Sequence, residues 1–344
     1  MLKGALIGVG NVALHGHLPG WQQESGVQLV AAADTHPARL ELLRQQLPEL
    51  RGYATAEELF VTEQELDFVD VCTPPATHAD LVWLALQRGL HVLCEKPLVI
   101  RPEELPGLME LAEEKDRVLY TVHNWRHAPL LAKISEAVHQ RRVGELQKVS
   151  WQTLRSQPAV GSGASGESWR ADPHLSGGGI LVDHGWHALY VLHDWLGVPK
   201  WIAASLTTKK HKQWELEDTA DLYLQYDGDV TAQVYLTWAA DERRNRVEIG
   251  GSDGLLVGDG RALTLTRGVR EERWGFPSSL SEGSHHPDWF HGVVRGFLAE
   301  VEGEARRENL AQAALCLKLV ALAQVSSQTG GDWVAVDGAE PQPA

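Results

Sequence analysis

Short apolar runs alternate with helix-like segments through the first third of the chain, and this alternation restricts the fold more than any other feature. Residues 2–8, 27–33, 68–72, 91–94 and 118–122 read as strands. Residues 37–47, 76–88 and 102–115 read as helices between them, with a short strand and a turn of helix over 52–59. Strands alternating with helices make βαβ units, whose parallel sheet is covered on both faces. The expectation is an α/β, Rossmann-type doubly wound domain over residues 1–124.

The pattern changes after about residue 144. Residues 148–155 are extended, 157–168 form a Gly/Ser-rich loop, and 177–195 have helical character. Runs with period-two character follow at 201–208, 220–226, 230–238, 246–250, 254–257 and 262–267, separated by turn signals such as 227-DGD-229 and 252-SDG-254. These predict a meander of antiparallel strands. With helices at 289–302 and 310–326, the second domain, residues 125–336, is expected to be α+β on a large, mostly antiparallel sheet. Residues 337–344, rich in Pro and Gly, are expected to be a disordered tail.

Composition narrows the function classes. At 344 residues the chain exceeds the ~250–300 at which single cores stop growing. A formal net charge of −15 argues against a nucleic-acid partner, which calls for a basic footprint. Three cysteines, Cys72, Cys94 and Cys316, lie in apolar runs without a CxxC pair, the pattern of buried reduced thiols in a cytosolic protein. The start MLKGALIGVGNVA is too glycine-rich for a signal sequence, and no apolar run approaches the ~20 residues that span a bilayer. A cytoplasmic chain without a membrane partner is expected.

The turn after the first strand, 8-GVGNVA-13, fits G-x-G-x-x-[G/A]. Gly8 makes the tight turn, Gly10 lets the backbone approach a pyrophosphate, and Asn11 and Val12 open a helix whose N-terminus faces phosphate charge. Asp34, at the end of the second strand, is placed to bind both ribose hydroxyls of NAD and to repel a 2′-phosphate, so NAD is expected over NADP. Thr73, Pro74 and Pro75, in 71-VCTPPATH-78, would line the same cleft; His78 is a further candidate, and Thr77 reads as a helix cap.

In 92-VLCEKPLVI-100 a buried strand ends on Glu95 and Lys96, with Pro97 disfavouring the helical region at Lys96. Lys96 falls at the sheet edge where ligands bind, and its ammonium can hold a substrate hydroxyl. Further on, 177-GGGILVDHGWHALY-190 puts Asp183 and His187 one helical turn apart. Such a pair can orient a hydroxyl and exchange a proton, although taken alone a structural role is the stronger reading. No metal set is assigned, although His184, His187 and His193 are close in sequence. His123, Trp125, Arg126, Trp169 and Arg170 combine aromatic faces with hydrogen-bonding groups, which suits a sugar or cyclitol; packing between domains is the alternative for Trp125.

The order GVGNVA, Asp34, TPPATH, EKP and GGGxLxDxGxH, with 125-WRHAP-129 and 287-PDWFHGVVRGF-297, resembles the glucose-fructose oxidoreductase/inositol dehydrogenase (Gfo/Idh/MocA) family over most of the chain. The resemblance implies an NAD-dependent dehydrogenase with Lys96, Asp183 and His187 as its catalytic set and Glu95 near the nicotinamide ribose. It also implies a polyol or sugar substrate and a homodimer or homotetramer built through the open face of the second-domain sheet. A glycosidase using transient oxidation, also known in the family, and a non-enzymatic NAD-binding regulator are the rival readings.

Overall fold

The computed structural model describes residues 1–159, 169–283, 285–304 and 307–337. Among them the chain divides into two compact units, one of residues 1–124, 169 and 285–314, the other of residues 125–159, 170–283 and 315–337. The C-terminal tail assigned to 337–344 lies, apart from Asp337, outside the described residues.

The first unit holds strands β1 (Leu2–Ile7), β2 (Val27–Ala33), β3 (Arg51–Tyr53), β4 (Phe68–Val71), β5 (His91–Cys94) and β6 (Leu119–Thr121), in the order β3-β2-β1-β4-β5-β6. All pairings are parallel. Strand order reverses between β1 and β4, and ligands bind such sheets outside the carboxyl ends of the strands at that point. Every residue of β4 is buried, including Asp70.

The helix Pro287–Val301 belongs to this unit, not to the second domain where its sequence position suggested it. Its face of Phe290, Val293, Val294 and Phe297 shares a core with Leu6, Trp21, Phe68, Tyr120 and Val122. Trp21, Phe68 and Phe297 meet with ring centroids 4.7–5.9 Å apart. An amphipathic period shows that a helix has a core face but not which core it joins.

The helix after the glycine turn contains a π-turn, Ala13–His17, in which the Leu18 N–H donates to the Ala13 carbonyl. Two residues on, Pro19 has no N–H to give the His15 carbonyl, so the local hydrogen-bond register shifts outward.

The second unit carries β7 (Leu146–Leu154), β8 (Trp201–Thr207), β9 (Thr219–Gln225), β10 (Thr231–Thr237), β11 (Arg244–Gly251), β12 (Leu255–Asp259), β13 (Ala262–Arg267), β14 (Arg270–Gly275) and β15 (Val334–Ala335). They form one sheet, β14-β13-β12-β11-β7-β10-β9-β8-β15, antiparallel except for β7 against β10. The helix expected over 177–195 is divided: a left-handed Gly177 ends the short helix Pro173–Ser176, a π-turn spans Leu181–Gly185, and an α-helix runs over Trp186–Leu196.

The 21-residue helix Glu308–Gln328 is long and apolar enough to cross a membrane by length and composition, which corrects the expectation that no run approaches that length. Leu310, Ala313, Leu317, Val320 and Ala323 are buried at three- and four-residue steps, the stripe of a core helix. All three cysteines are buried and unbridged.

Candidate functional site

The glycine turn is held by its neighbours. Gly8 has φ +87°, and a Cβ there would lie 2.8 Å from Thr73 Cγ2 and 2.9 Å from Thr73 N. Only glycine combines that backbone with so close a passage of the loop after β4. Gly10 accepts the Leu14 N–H through its carbonyl (3.0 Å), and Asn11 and Val12 are helical. Asp34 Oδ2 accepts the Val9 N–H (2.7 Å) and Oδ1 the His36 N–H (2.8 Å), so the carboxylate ties the turn to the end of β2. Arg39 Nη1 stands 3.6 Å from Asp34 Oδ2, and His36 Nδ1 3.4 Å from Oδ1.

Thr73, Pro74 and Pro75 follow β4, and Pro75 opens a 3-10 turn. The Thr77 hydroxyl lies 2.7 Å from Thr73 Oγ1 and 2.9 Å from the Pro74 carbonyl oxygen and does not cap the next helix. His78, a further candidate among the cofactor residues, clamps two carbonyls: fully buried, its Nδ1 is 2.8 Å from the Pro97 carbonyl oxygen and its Nε2 2.9 Å from that of Thr73. Burial pushes its pKa down against the two carbonyls that raise it.

At the end of β5, Glu95 and Lys96 leave the sheet, and the Lys96–Pro97 peptide is cis. Glu95 Oε2 accepts the Lys96 N–H (3.0 Å), and Oε1 lies 3.0 Å from His17 Nε2. Burial acts to raise the Glu95 pKa, but His17 and Lys96 bring it below the usual value. His123, expected to meet substrate, is 1% exposed in the first unit, with Nδ1 3.4 Å from Asn309 Nδ2.

In the second unit, Asp183 lies in the π-turn and His187 on the following α-helix. The Asp183 carboxylate is 3.5 Å from Arg170 Nε and 3.2 Å from His184 Nδ1. His187 is 7% exposed; its ring stacks on Trp125 at 4.6 Å and 8°, and its Nδ1 lies 2.9 Å from the Tyr190 hydroxyl. The same hydroxyl accepts the Trp125 N–H (2.8 Å). Trp125, a candidate sugar platform, is therefore 7% exposed and packed against the His187 ring, and the Tyr190 hydroxyl ties the two together. Arg126 shares a 3-10 turn with His127, whose pKa burial and then Arg126 push down to about 4. Trp169 opens the 3-10 turn Trp169–Ala171 and is half-buried.

Sequence reasoning missed His17, Asp70 and Tyr190. The first two bond to each other, and Tyr190 stood in a quoted motif with no role assigned to it.

Residues 2–123 match the family model described as "Oxidoreductase family, NAD-binding Rossmann fold", and residues 131–257 the "GFO/IDH/MocA C-terminal domain". The chain belongs to the Gfo/Idh/MocA oxidoreductase family. A D-apiose dehydrogenase of Paraburkholderia graminis is 28% identical over 74% of this family member and 66% of that protein. A D-xylose 1-dehydrogenase (NADP(+)) of Haloferax volcanii is 26% identical over 94% and 97%. Among solved structures, an oxidoreductase from Agrobacterium radiobacter in complex with NAD+, L-tartaric acid and magnesium superposes with TM-score 0.84 at 22% identity, over 97% and 98% of the two chains. A putative myo-inositol dehydrogenase from Sinorhizobium meliloti gives 0.81 at 21%, over 98% and 100%. At such identities the structural likeness shows the shared fold alone, whereas the sequence relatives are named as sugar dehydrogenases.

Proposed function

We propose that this oxidoreductase is an NAD-dependent dehydrogenase of a sugar, sugar derivative or cyclitol, with Lys96, Asp183 and His187 as its catalytic set. The observation that carries the reading is His187, stacked on Trp125 and tied through Nδ1 to Tyr190. With the Nδ1 proton donated to the Tyr190 oxygen, Nε2 is the basic nitrogen of the ring. His187 then takes the hydroxyl proton of the substrate during oxidation, Lys96 holds that oxygen by a charge-assisted hydrogen bond, and Asp183 orients a neighbouring hydroxyl. The glycine cradle at Gly8 and the Asp34 carboxylate fit a nicotinamide dinucleotide, which when bound supplies the hydride acceptor.

Asp34 supports NAD, whereas Arg39 and His36 beside it support a second reading, NADP, by offering positive charge where a 2′-phosphate would sit. A panel of sugars and cyclitols, followed by reduced-nicotinamide absorbance with each cofactor in parallel, tests both. Lys96→Ala and His187→Asn should each lower kcat at least 100-fold on whichever substrate turns over. Tight cofactor binding with no turnover on any compound would replace the dehydrogenase by a regulator. Release of an aglycone without net reduced cofactor would replace it by a glycosidase.

A further inference from the structure

Next to the Glu95 end of β5 is a buried charged cluster that the hydride-transfer reading does not use. Asp70, on β4, is 0% exposed. Its Oδ2 accepts the Trp21 indole N–H (2.7 Å), and its two oxygens lie 2.9 and 3.0 Å from His17 Nδ1. The other His17 nitrogen, Nε2, lies 3.0 Å from Glu95 Oε1. The ring of Phe290 covers the imidazole, with centroids 3.8 Å apart and 20° between planes. Cys72 Sγ closes the cluster, 3.1 Å from His17 Nδ1 and 3.4 Å from Asp70 Oδ1.

Both nitrogens of His17 thus face carboxylate oxygens, which when ionised only accept hydrogen bonds. Each nitrogen must carry a proton, so the ring is an imidazolium shared between two carboxylates. Burial works against that charge, but Asp70, by its charge and its hydrogen bond, outweighs it and holds the His17 pKa well above its ordinary value. His17, Asp70 and Cys72 also group as metal ligands do. Their mutual distances of 2.9–3.4 Å are, however, those of hydrogen bonds, and burial raises the Cys72 thiol far from the thiolate that a metal would require.

We propose that His17 is a positioning residue for the cofactor site: anchored to Asp70 through Nδ1, it holds Glu95 through Nε2 in one orientation, as a carboxylate turned to accept a ribose hydroxyl of the bound nicotinamide half. The proposal rests on Glu95 being a cofactor residue. The π-turn, with Pro19 behind it, sets the local path of the chain at His17. The groups that face the imidazole are Asp70 and Cys72 from β4 and its loop, Glu95 from β5, and the uncharged rings of Trp21 and Phe290; Lys96 adds its charge beside Glu95. Because the His17 pKa is raised and that of Glu95 lowered, the clamp is complete at neutral pH and opens as pH climbs through the raised His17 value. Cofactor affinity should fall on that alkaline limb.

Calorimetric dissociation constants for NAD and NADP on the full chain test this, for wild type, His17→Gln, Glu95→Gln and the double variant. Each single substitution should weaken the preferred cofactor about ten-fold, and the double should be no weaker than Glu95→Gln alone, because His17 acts through Glu95. Wild-type affinity in His17→Gln, or losses that multiply in the double variant, would overturn the proposal. Unchanged affinity in Glu95→Gln would instead remove the cofactor role of Glu95, and this proposal with it. Should His17→Gln fail to fold, with Asp70 left buried beside an uncharged partner, nitrogen NMR of histidine-labelled wild type decides. A doubly protonated His17 ring at pH 7, losing its proton together with cofactor affinity at alkaline pH, supports the clamp; a neutral ring at pH 7 overturns it.

Discussion

Asp218 shows how one buried carboxylate organises a loop. It is fully buried and accepts three consecutive backbone N–H groups, from Lys209 (2.8 Å), Lys210 (2.7 Å) and His211 (2.8 Å), and the Thr219 hydroxyl (2.9 Å). Burial acts to raise its pKa, but these bonds to the charged form outweigh it and hold the value below the usual one. A lowered carboxylate pKa contributes stability that is present above the ordinary value of about 4 and is lost as pH falls through the lowered one. Asp218→Asn should therefore cost about 2–3 kcal/mol at pH 7, read by urea unfolding, with the gap to wild type narrowing below about pH 4. Legibility differs among residues for a related reason. The places of Gly8, Asp34 and Lys96 just past the carboxyl ends of their strands were readable because each stands in a short stretch whose spacing carries its meaning. His17 was not, since its partners Asp70 and Glu95 lie 53 and 78 residues away and only the folded sheet brings them to it. His78 stayed open because a histidine at a cleft loop and a histidine clamping two carbonyls look alike in sequence.

At the scale of elements, the glycine run before the Asp183 helix is a docking device. A Cβ on Gly179 would sit 1.9 Å from the Glu217 carbonyl oxygen. That carbonyl accepts the Ile180 N–H (3.2 Å), and the Glu217 carboxylate accepts the Leu181 N–H (3.1 Å). The start of the π-turn is thus fastened to the segment before β9, and Asp183 N–H bonds in turn to the Gly179 carbonyl (3.1 Å). Gly179→Ala should destabilise the chain by about 1–3 kcal/mol, because backbone rather than a flexible side chain must yield. It should also lower kcat by displacing Asp183. Gly26→Ala, whose added Cβ meets nothing within 4 Å, is the control for both thermal unfolding and turnover. Hydropathy periods located most of the strands and helices, since burial on one face or two leaves that trace. The register shifts at the two π-turns leave none, because hydropathy does not record which carbonyl an N–H reaches. Strand β14, REERWG, has no buried residue to alternate. The helix Pro129–His139 was not among the helices read from the sequence, although Leu130, Leu131, Ile134, Ala137 and Val138 recur with a helical period.

For the molecule as a whole, the main consequence is that the first unit is not continuous in sequence. The helix Pro287–Val301 buries Phe290, Val293, Val294 and Phe297 in the core of the parallel sheet. Asn309 pairs with the backbone of the edge strand β6, accepting the Thr121 N–H (2.6 Å) and donating to the Thr121 carbonyl (2.9 Å). Glu300, itself buried, accepts the Arg307 N–H (3.1 Å) at the turn between these elements. Four large apolar side chains at about 1.5–3 kcal/mol each give a contribution of roughly 6–12 kcal/mol. The whole stability of a domain is about 5–15 kcal/mol. A fragment of residues 1–124, which carries all six strands and the glycine turn, should therefore lack a cooperative thermal transition and bind a hydrophobic dye. Joining residues 285–314 to its end through a flexible linker should restore cooperative unfolding, since the returning helix supplies the missing core face and Asn309 covers the edge of β6. A fragment of residues 1–124 that melted cooperatively at the temperature of the extended form would show that the six-stranded sheet closes its core without the returning helix.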